Sequence, residues 1–263
     1  MNGPVELGWW QLAVAASLVL ANGGVSLWLG LGLEKRLLVA ALRTAVQLAA
    51  LGAILVPVFS LERWELVGAL VVVMLGAGTH AAVGRVSRRQ RGIHLAAFAS
   101  LAAGGLPSAV FGCWVVLGVD PWWTPQYLVP LLGMVLGNTL TGISLGLEGC
   151  LRALDEGRDR VELYLARGAS WWEAARPVAR ASLKTALVPI VNSMTVVGLV
   201  SIPGMMTGQI LGGTEPMLAA RYQILVMYLI AGGTALGSLA AVLVVLRLSF
   251  DEQVRLRRPW KAE

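Results

Sequence analysis

The side chains able to do chemistry in this sequence are few. Cys113 and Cys150 are isolated and show neither metal-binding nor disulfide spacing, and His80 and His94 are equally isolated. No Ser, Cys or Asp stands in a nucleophile–base pattern, so no catalytic residue is expected and the chain is not read as an enzyme. No G-x-x-x-x-G-K-[ST] occurs. The only lysines are Lys35, Lys184 and Lys261, and none follows a glycine, so the chain cannot cradle ATP phosphates by that loop. No cofactor of its own is expected. What remains is polar rather than reactive. Arg43 and Gln47 lie inside an apolar run, Met205 and Met206 stand together in a Gly- and Pro-rich stretch, and one long charged segment spans residues 148–182.

The elements that must position these groups are set by composition. The chain has 263 residues, 57% hydrophobic and 14% charged, where soluble domains carry roughly 25% charged residues. The shortfall fits a chain that mostly faces lipid. The net charge of +6 comes from basic residues flanking apolar runs, which points away from nucleic acid. A span needs roughly 20 apolar residues. This predicts an all-α integral membrane protein of about seven transmembrane helices: Trp9–Leu31, Leu37–Phe59, Trp64–Gly84, Ile93–Val119, Tyr127–Leu147, Leu183–Pro203 and Tyr222–Leu246. Residues 1–263 form one transmembrane domain, with 148–182 as its sizeable soluble loop. The first run is too long for a cleaved signal and is read as a permanent span.

Orientation follows from Lys and Arg. Of 21 such residues, only Arg63 and Arg221 fall on one side and Arg43 within a span; the rest, including Arg85, Arg88, Arg89, Arg91 and the tail residues Arg255, Arg257, Arg258 and Lys261, fall on the other. The N-terminus is therefore placed outside and the C-terminus in the cytoplasm, in a cell (inner or plasma) membrane. Trp9, Trp10, Trp64, Trp122 and Trp123 fall at outer boundaries, and Trp171, Trp172 and Trp260 near the inner one, where amphipathic rings contact lipid headgroups.

Every Asp and Glu sits in a loop or at a span boundary, Glu65 being the second residue of its span, and none lies within the bilayer. Proton relays and hard-cation paths usually place carboxylates at membrane depth, so a proton- or sodium-driven carrier and a bare hard-cation site are both disfavoured. Arg43 lies about 9 Å into its span at roughly 1.5 Å per residue. It either snorkels back and bonds a neighbouring helix or forms, with Gln47, a polar patch on a translocation path. Span five carries Gly133-x-x-x-Gly137 and Gly142-x-x-x-Gly146, a close-packing device, with Asn138 and Thr141 beside it. In span six, Asn192 is the matching polar residue. Pro203, Gly204, Met205, Met206 and Gln209 follow in an irregular stretch, read as an outer gate or re-entrant turn. Two methionines could hold a soft metal or simply pack, and no metal site is assigned.

In the charged segment, Arg158–Arg167 reads as a short amphipathic helix, with Val161, Tyr164 and Leu165 on one stripe. Gly168 stops it, and Ser170-Trp171-Trp172-Glu173 fits a capping box for a second helix that Pro177 would interrupt. This is a cytoplasmic coupling helix between spans five and six, or a helix lying on the lipid surface.

Glu162…Gly168 has the E-x5-G spacing of the cytoplasmic loop of ABC importer permeases, whose short helix seats in a cleft of the ATP-binding subunit. Leu163 and Tyr164 stand where two alanines are usual. RTAVQL in span two, ELYLARGAS in the loop and GLVSIPGMMTGQILGGTEPMLAARYQI after span six resemble the FetB family of small ABC permeases. That family is associated with iron export in bacteria and with a sugar nucleotide in plants. The resemblance implies the permease subunit of an ABC exporter of iron or another metal species, driven by a separate ATP-binding subunit that uses ATP and Mg, in a homodimer of permeases. It implies coupling through Val161, Glu162, Tyr164, Leu165 and Gly168. Export of a sugar nucleotide such as UDP-glucose is the alternative cargo, and a partner-independent carrier or channel is the alternative class.

Overall fold

The computed structural model of the chain describes residues 8–257 and the backbone of residues 260–261. Arg258 and the side chains of Trp260 and Lys261 lie outside the described residues. The described chain is almost wholly helical, and six helices are long and apolar enough to cross a membrane. It divides into two compact units, one running to Arg63 and including Leu211–Gly213, the other formed by Trp64–Ile210 and Thr214 onward.

The first unit is a hairpin of α1 (Trp9–Trp28) and α2 (Glu34–Leu61). α1 ends three residues before the expected Leu31 because Gly30 and Gly32 take left-handed backbone angles, φ +63 and +65. The Ser26 hydroxyl closes the turn. It accepts the Leu33 N–H at 3.0 Å and donates to the Glu34 carboxylate at 3.2 Å.

The second unit holds α3 (Trp64–Gly84), α4 (Ile93–Val110), α5 (Pro125–Glu156), α6 (Arg158–Ala166), α7 (Trp171–Val196), all but the last residue of α8 (Gly204–Leu211), and α9 (Pro216–Leu248). Its centre is α4, α5 and α9, and glycines set their distance. A Cβ on Gly104 would strike the Gly233 carbonyl and the Gly237 backbone. One on Gly142 would meet Ser238 and Thr234, and one on Gly237 would meet Thr139. Small residues at such crossings let backbones touch, so dispersion can hold helices together where lipid offers no hydrophobic driving force. The two glycine pairs of span five behave differently. Gly142 and Gly146 are packed, whereas Gly137 meets nothing within 4 Å.

Four expected boundaries are corrected. The α-helix of span four ends at Val110 and continues as a π-helical turn, Phe111–Val116, not as regular helix to Val119. The 148–182 segment is not a loop at its start, because α5 runs on to Glu156 as a salt-bridged helix. Pro177 does not interrupt α7, which runs unbroken from Trp171 to Val196 and ends seven residues short of Pro203. A mid-helix proline costs about 3 kcal/mol. Here Ala174, Ala175, Val178, Ala179, Ser182, Ala186 and Ile190 bury one face of α7, and that packing outweighs it. Two short strands, unexpected from the sequence, pair antiparallel: β1 (Arg88–Arg89) and β2 (Trp260–Lys261).

The α6–α7 corner forms as its residues dictate. Gly168 is left-handed at φ +84, and the Gly168 and Ala169 N–H groups donate to the Leu165 and Tyr164 carbonyls, a Schellman closure. Ser170 Oγ accepts the Glu173 N–H at 3.3 Å, and the Glu173 carboxylate accepts the Ser170 N–H at 2.8 Å. The Ser170 backbone N–H and then its hydroxyl hold the Glu173 carboxyl below its ordinary value of 4.5. A depressed acid contributes stability that is complete above that ordinary value and is lost as pH falls through the depressed one. Ser170→Ala is expected to cost about 1 kcal/mol of stability near neutral pH, read as a lower thermal midpoint. The gap between variant and parent should narrow on acidification below the carboxylate range.

Candidate functional site

Two places in the second unit combine polar groups with shape, at opposite ends of α5, a helix about 48 Å long at roughly 1.5 Å per residue.

At the arginine-rich end, the turn after α3 is pinned to α5. The Ser87 N–H and hydroxyl donate to the Glu148 carboxylate at 2.7 and 2.6 Å. Arg88 pairs with Asp155 at 2.9 Å, and Arg152 with Glu156 at 2.8 Å. Buried Gln90 donates to the Val245 carbonyl at 3.0 Å and accepts from Ser249 at 2.8 Å. Trp171 packs on Phe250 and lies 5.7 Å from the Arg247 guanidinium carbon, a cation–π contact.

α6 is seated on this platform by Val161, which is 3% exposed, and by Arg158, which pairs with Glu162 at 2.7 Å and donates to the Leu256 carbonyl at 3.0 Å. Val161 therefore anchors the helix and is not presented outward with Tyr164, which changes its expected place on the recognition stripe. Burial along α6 follows its attachment to α5 and the tail, which periodicity alone does not reveal. The exposed apolar side chains are Leu163 and Tyr164, 51% and 45% exposed. Leu165, Glu162 and Gly168 line a groove of about 490 Å³ whose other wall is the C-terminal segment Gln253–Leu256. In that segment the Asp251 carboxylate accepts the Gln253 and Arg255 N–H groups at 3.0 and 2.8 Å and pairs with the Arg255 side chain. The Arg255 N–H, followed by the guanidinium, lowers the Asp251 pKa. The turn holds Val254 at φ +60, a conformation that costs a β-branched residue about 1–2 kcal/mol.

At the other end, the chain between α7 and α9 is irregular, and α8 stands between two cavities. One, of about 530 Å³, is lined by Met194, Pro203, Met206, Gln223, Met227 and Tyr228 among others. The second, of about 340 Å³, is lined by Tyr127, Met134, Met205, Gln209, Thr214 and Tyr222 among others. Of the expected gate residues, Pro203 and Met206 face one cavity, Met205 and Gln209 the other, and Gly204 opens α8. The Oε1 atoms of Gln209 and Gln223 are buried without a hydrogen-bond partner among the described residues. Among the described residues, no Asp or Glu lines either cavity.

The expected path residues are distributed over both units. Arg43 and Gln47 are exposed on α2 of the first unit. Asn138 is exposed on α5 and donates to the Met134 carbonyl at 2.9 Å, while Thr141 accepts from Arg85 at 3.4 Å. Asn192 is exposed on α7. Gln223, Tyr222, Tyr228, Met134 and Met194 line these cavities and are not among the residues expected from the sequence. Gln223 carries a sequence signal, since it is a lone uncharged polar group at the start of an apolar run, much as Gln47 is one inside such a run. The methionines carried no such mark. Among the described residues, no group of three or more His, Cys, Asp or Glu could hold a metal ion.

An all-helical chain with six membrane-length helices, glycine-packed at its centre and basic at one end, is a multi-pass membrane protein. It belongs to the family described as "Uncharacterised protein family (UPF0014)", whose profile matches residues 9–250. It is 36% identical over 252 residues to the UPF0014 membrane protein slr1647 of Synechocystis sp., covering 96% of this chain and 97% of the relative. It is 34% identical to the UPF0014 membrane protein STAR2 of Oryza sativa subsp. japonica, over 86% and 78% of the two chains. It is 27% identical, over 94% and 93%, to a protein of Escherichia coli named "Probable iron export permease protein FetB". No solved structure matches the chain significantly.

Proposed function

We propose that this protein is the membrane-spanning permease subunit of an ABC transporter, energised by a separate ATP-binding subunit that binds ATP and Mg, and that it exports a metal species, iron foremost. The observation that carries the reading is α6: a helix seated by Val161 and Arg158 that holds Leu163 and Tyr164 in the open, in a family with a relative named as an iron export permease. The chain is not itself an enzyme and binds no cofactor. The arginine-rich end faces the cytoplasm, and the N-terminus lies outside. α7 with the irregular stretch to Pro203 makes the seventh crossing, since the first half of α7 carries Glu173, Arg176, Arg180 and Lys184 and lies at the membrane surface. Two permeases pair with two ATP-binding subunits, and Arg43, Gln47, Asn138, Thr141 and Asn192 contribute to the path.

The carboxylate-free cavities favour cargo other than a bare hard cation. A chelated metal is the cargo this favours, and the second reading is a sugar nucleotide such as UDP-glucose, whose diphosphate would need cationic groups from outside these two linings. ATPase activity of the permease–ATPase complex in nanodiscs, titrated with iron salts, iron chelates and UDP-glucose, separates these. Stimulation by one identifies the cargo class. Flux through the permease alone, with no ATPase captured, overturns the ABC reading in favour of a carrier or channel.

Gln223→Leu is expected to lower transport about tenfold while thermal stability holds or rises by up to about 1 kcal/mol, because it removes an unsatisfied buried polar group. Vesicle flux alongside a melting curve checks both. Unchanged flux returns Gln223 to a packing role.

A further inference from the structure

We propose that the Asp251–Arg255 turn is a second docking element, which forms with α6 one groove that receives an acidic-rimmed projection of the ATP-binding subunit. This rests on the permease reading and extends it from α6 to the C-terminal turn.

The groove has one wall from each element: Glu162, Leu165 and Gly168 from α6, and Val254 and Arg255 from the turn. Both walls are held before any partner arrives. Arg158 ties α6 to the Leu256 carbonyl. The tail folds back through an isolated bridge between Phe250 and Leu256, and the Arg257 N–H donates to the Ser249 carbonyl at 2.8 Å. A preformed groove spares a partner the ordering entropy of assembling it.

The turn is also held against its own preference. Val254 is one of two non-glycine residues with positive φ among the described residues, and it is 38% exposed at the groove rather than buried in the core. A β-branched apolar residue in that conformation persists only where the surroundings impose it. Here the Asp251 carboxylate does so through two backbone N–H groups. Nothing within the described fold is gained by presenting Val254, whereas a partner with an apolar notch would gain a rigid contact.

Charge defines the partner further. Glu162 at the groove and Asp251 in the turn behind it are already paired with Arg158 and Arg255. The groove lining carries Arg158 and Arg255 against the single acid Glu162; Arg167 and Arg257, each next in sequence to a lining residue, are exposed and form no salt bridge among the described residues, and Glu252 is the exposed acid beside them. The groove lining is therefore net positive and matches an acidic partner surface, which would also speed encounter.

The test uses the full chain in nanodiscs of neutral lipid and of anionic lipid, with the ATP-binding subunit that co-purifies with the wild-type protein. Binding is measured for wild type, Val254→Asp, Val254→Gly, Arg255→Glu and Tyr164→Asp. Glycine adopts the φ of residue 254 freely, so Val254→Gly keeps the turn and removes only the side chain. We expect Val254→Asp and Arg255→Glu to weaken binding at least tenfold and Val254→Gly several-fold, in both lipids, with melting unchanged in the two Val254 variants. Wild-type affinity in all three, with loss only in Tyr164→Asp, overturns the second docking element and leaves the permease reading intact. Effects confined to anionic nanodiscs also overturn it and assign the groove to lipid headgroups. No ATPase captured by wild type overturns both.

Discussion

Tyr164→Asp is expected to reduce capture of the ATP-binding subunit by at least about 30-fold, roughly 2 kcal/mol, while the protein still inserts, purifies and melts as wild type does. The effect is large because Tyr164 is an exposed aromatic on a helix that is already seated. Val161 and the Arg158–Leu256 bond hold α6 whether or not residue 164 is apolar. A charge there removes apolar contact area and would bury an unpaired carboxylate in the complex. Its intrinsic penalty to helix α6 is only about 0.5 kcal/mol, so loss of fold is not the expected route. A pull-down from membranes, with melting as control, checks it. Wild-type recovery of the ATPase would remove α6 as the contact. Leu165→Asp should behave similarly but with some loss of stability, since Leu165 is half-buried.

Gly104→Val is expected to destabilise the protein at the top of the usual overpacking range, about 3 kcal/mol or more. The atoms a side chain would meet are the Gly233 carbonyl and the Gly237 backbone. Backbone cannot rotate aside as a flexible side chain can, so α4 and α9 must separate along their contact. Gly137→Val is the matched control. It lies on α5 in open space and should shift the melting midpoint by no more than the small propensity change. Equal losses at both positions would show that the destabilisation is not a matter of α4–α9 contact.

Hydropathy and charge alone were enough to class this chain as a helical membrane protein and to locate its membrane-length helices. The bounds of α3 coincide with those expected, and α1, α2, α5 and α9 overlap their expected spans, because long apolar runs leave backbone groups no satisfaction other than helix. The α6–α7 corner was equally legible, since Gly168, Ser170 and Glu173 act through bonds within a few residues of themselves. Tertiary contacts alone decided the rest. Buried alanines carried α7 through Pro177, and attachment to α5 and the tail turned Val161 inward. The strand pairing of Arg88–Arg89 with Trp260–Lys261 joins residues far apart in sequence, with no local pattern to announce it. The two cavities beside α8 draw lining residues from α5, α7, α8 and α9. The groove beside α6 needs the C-terminal turn as its second wall. Composition and local spacing specify which segments become helices and how each ends. Which side of a helix meets protein, lipid or open space depends on partners the local sequence does not contain.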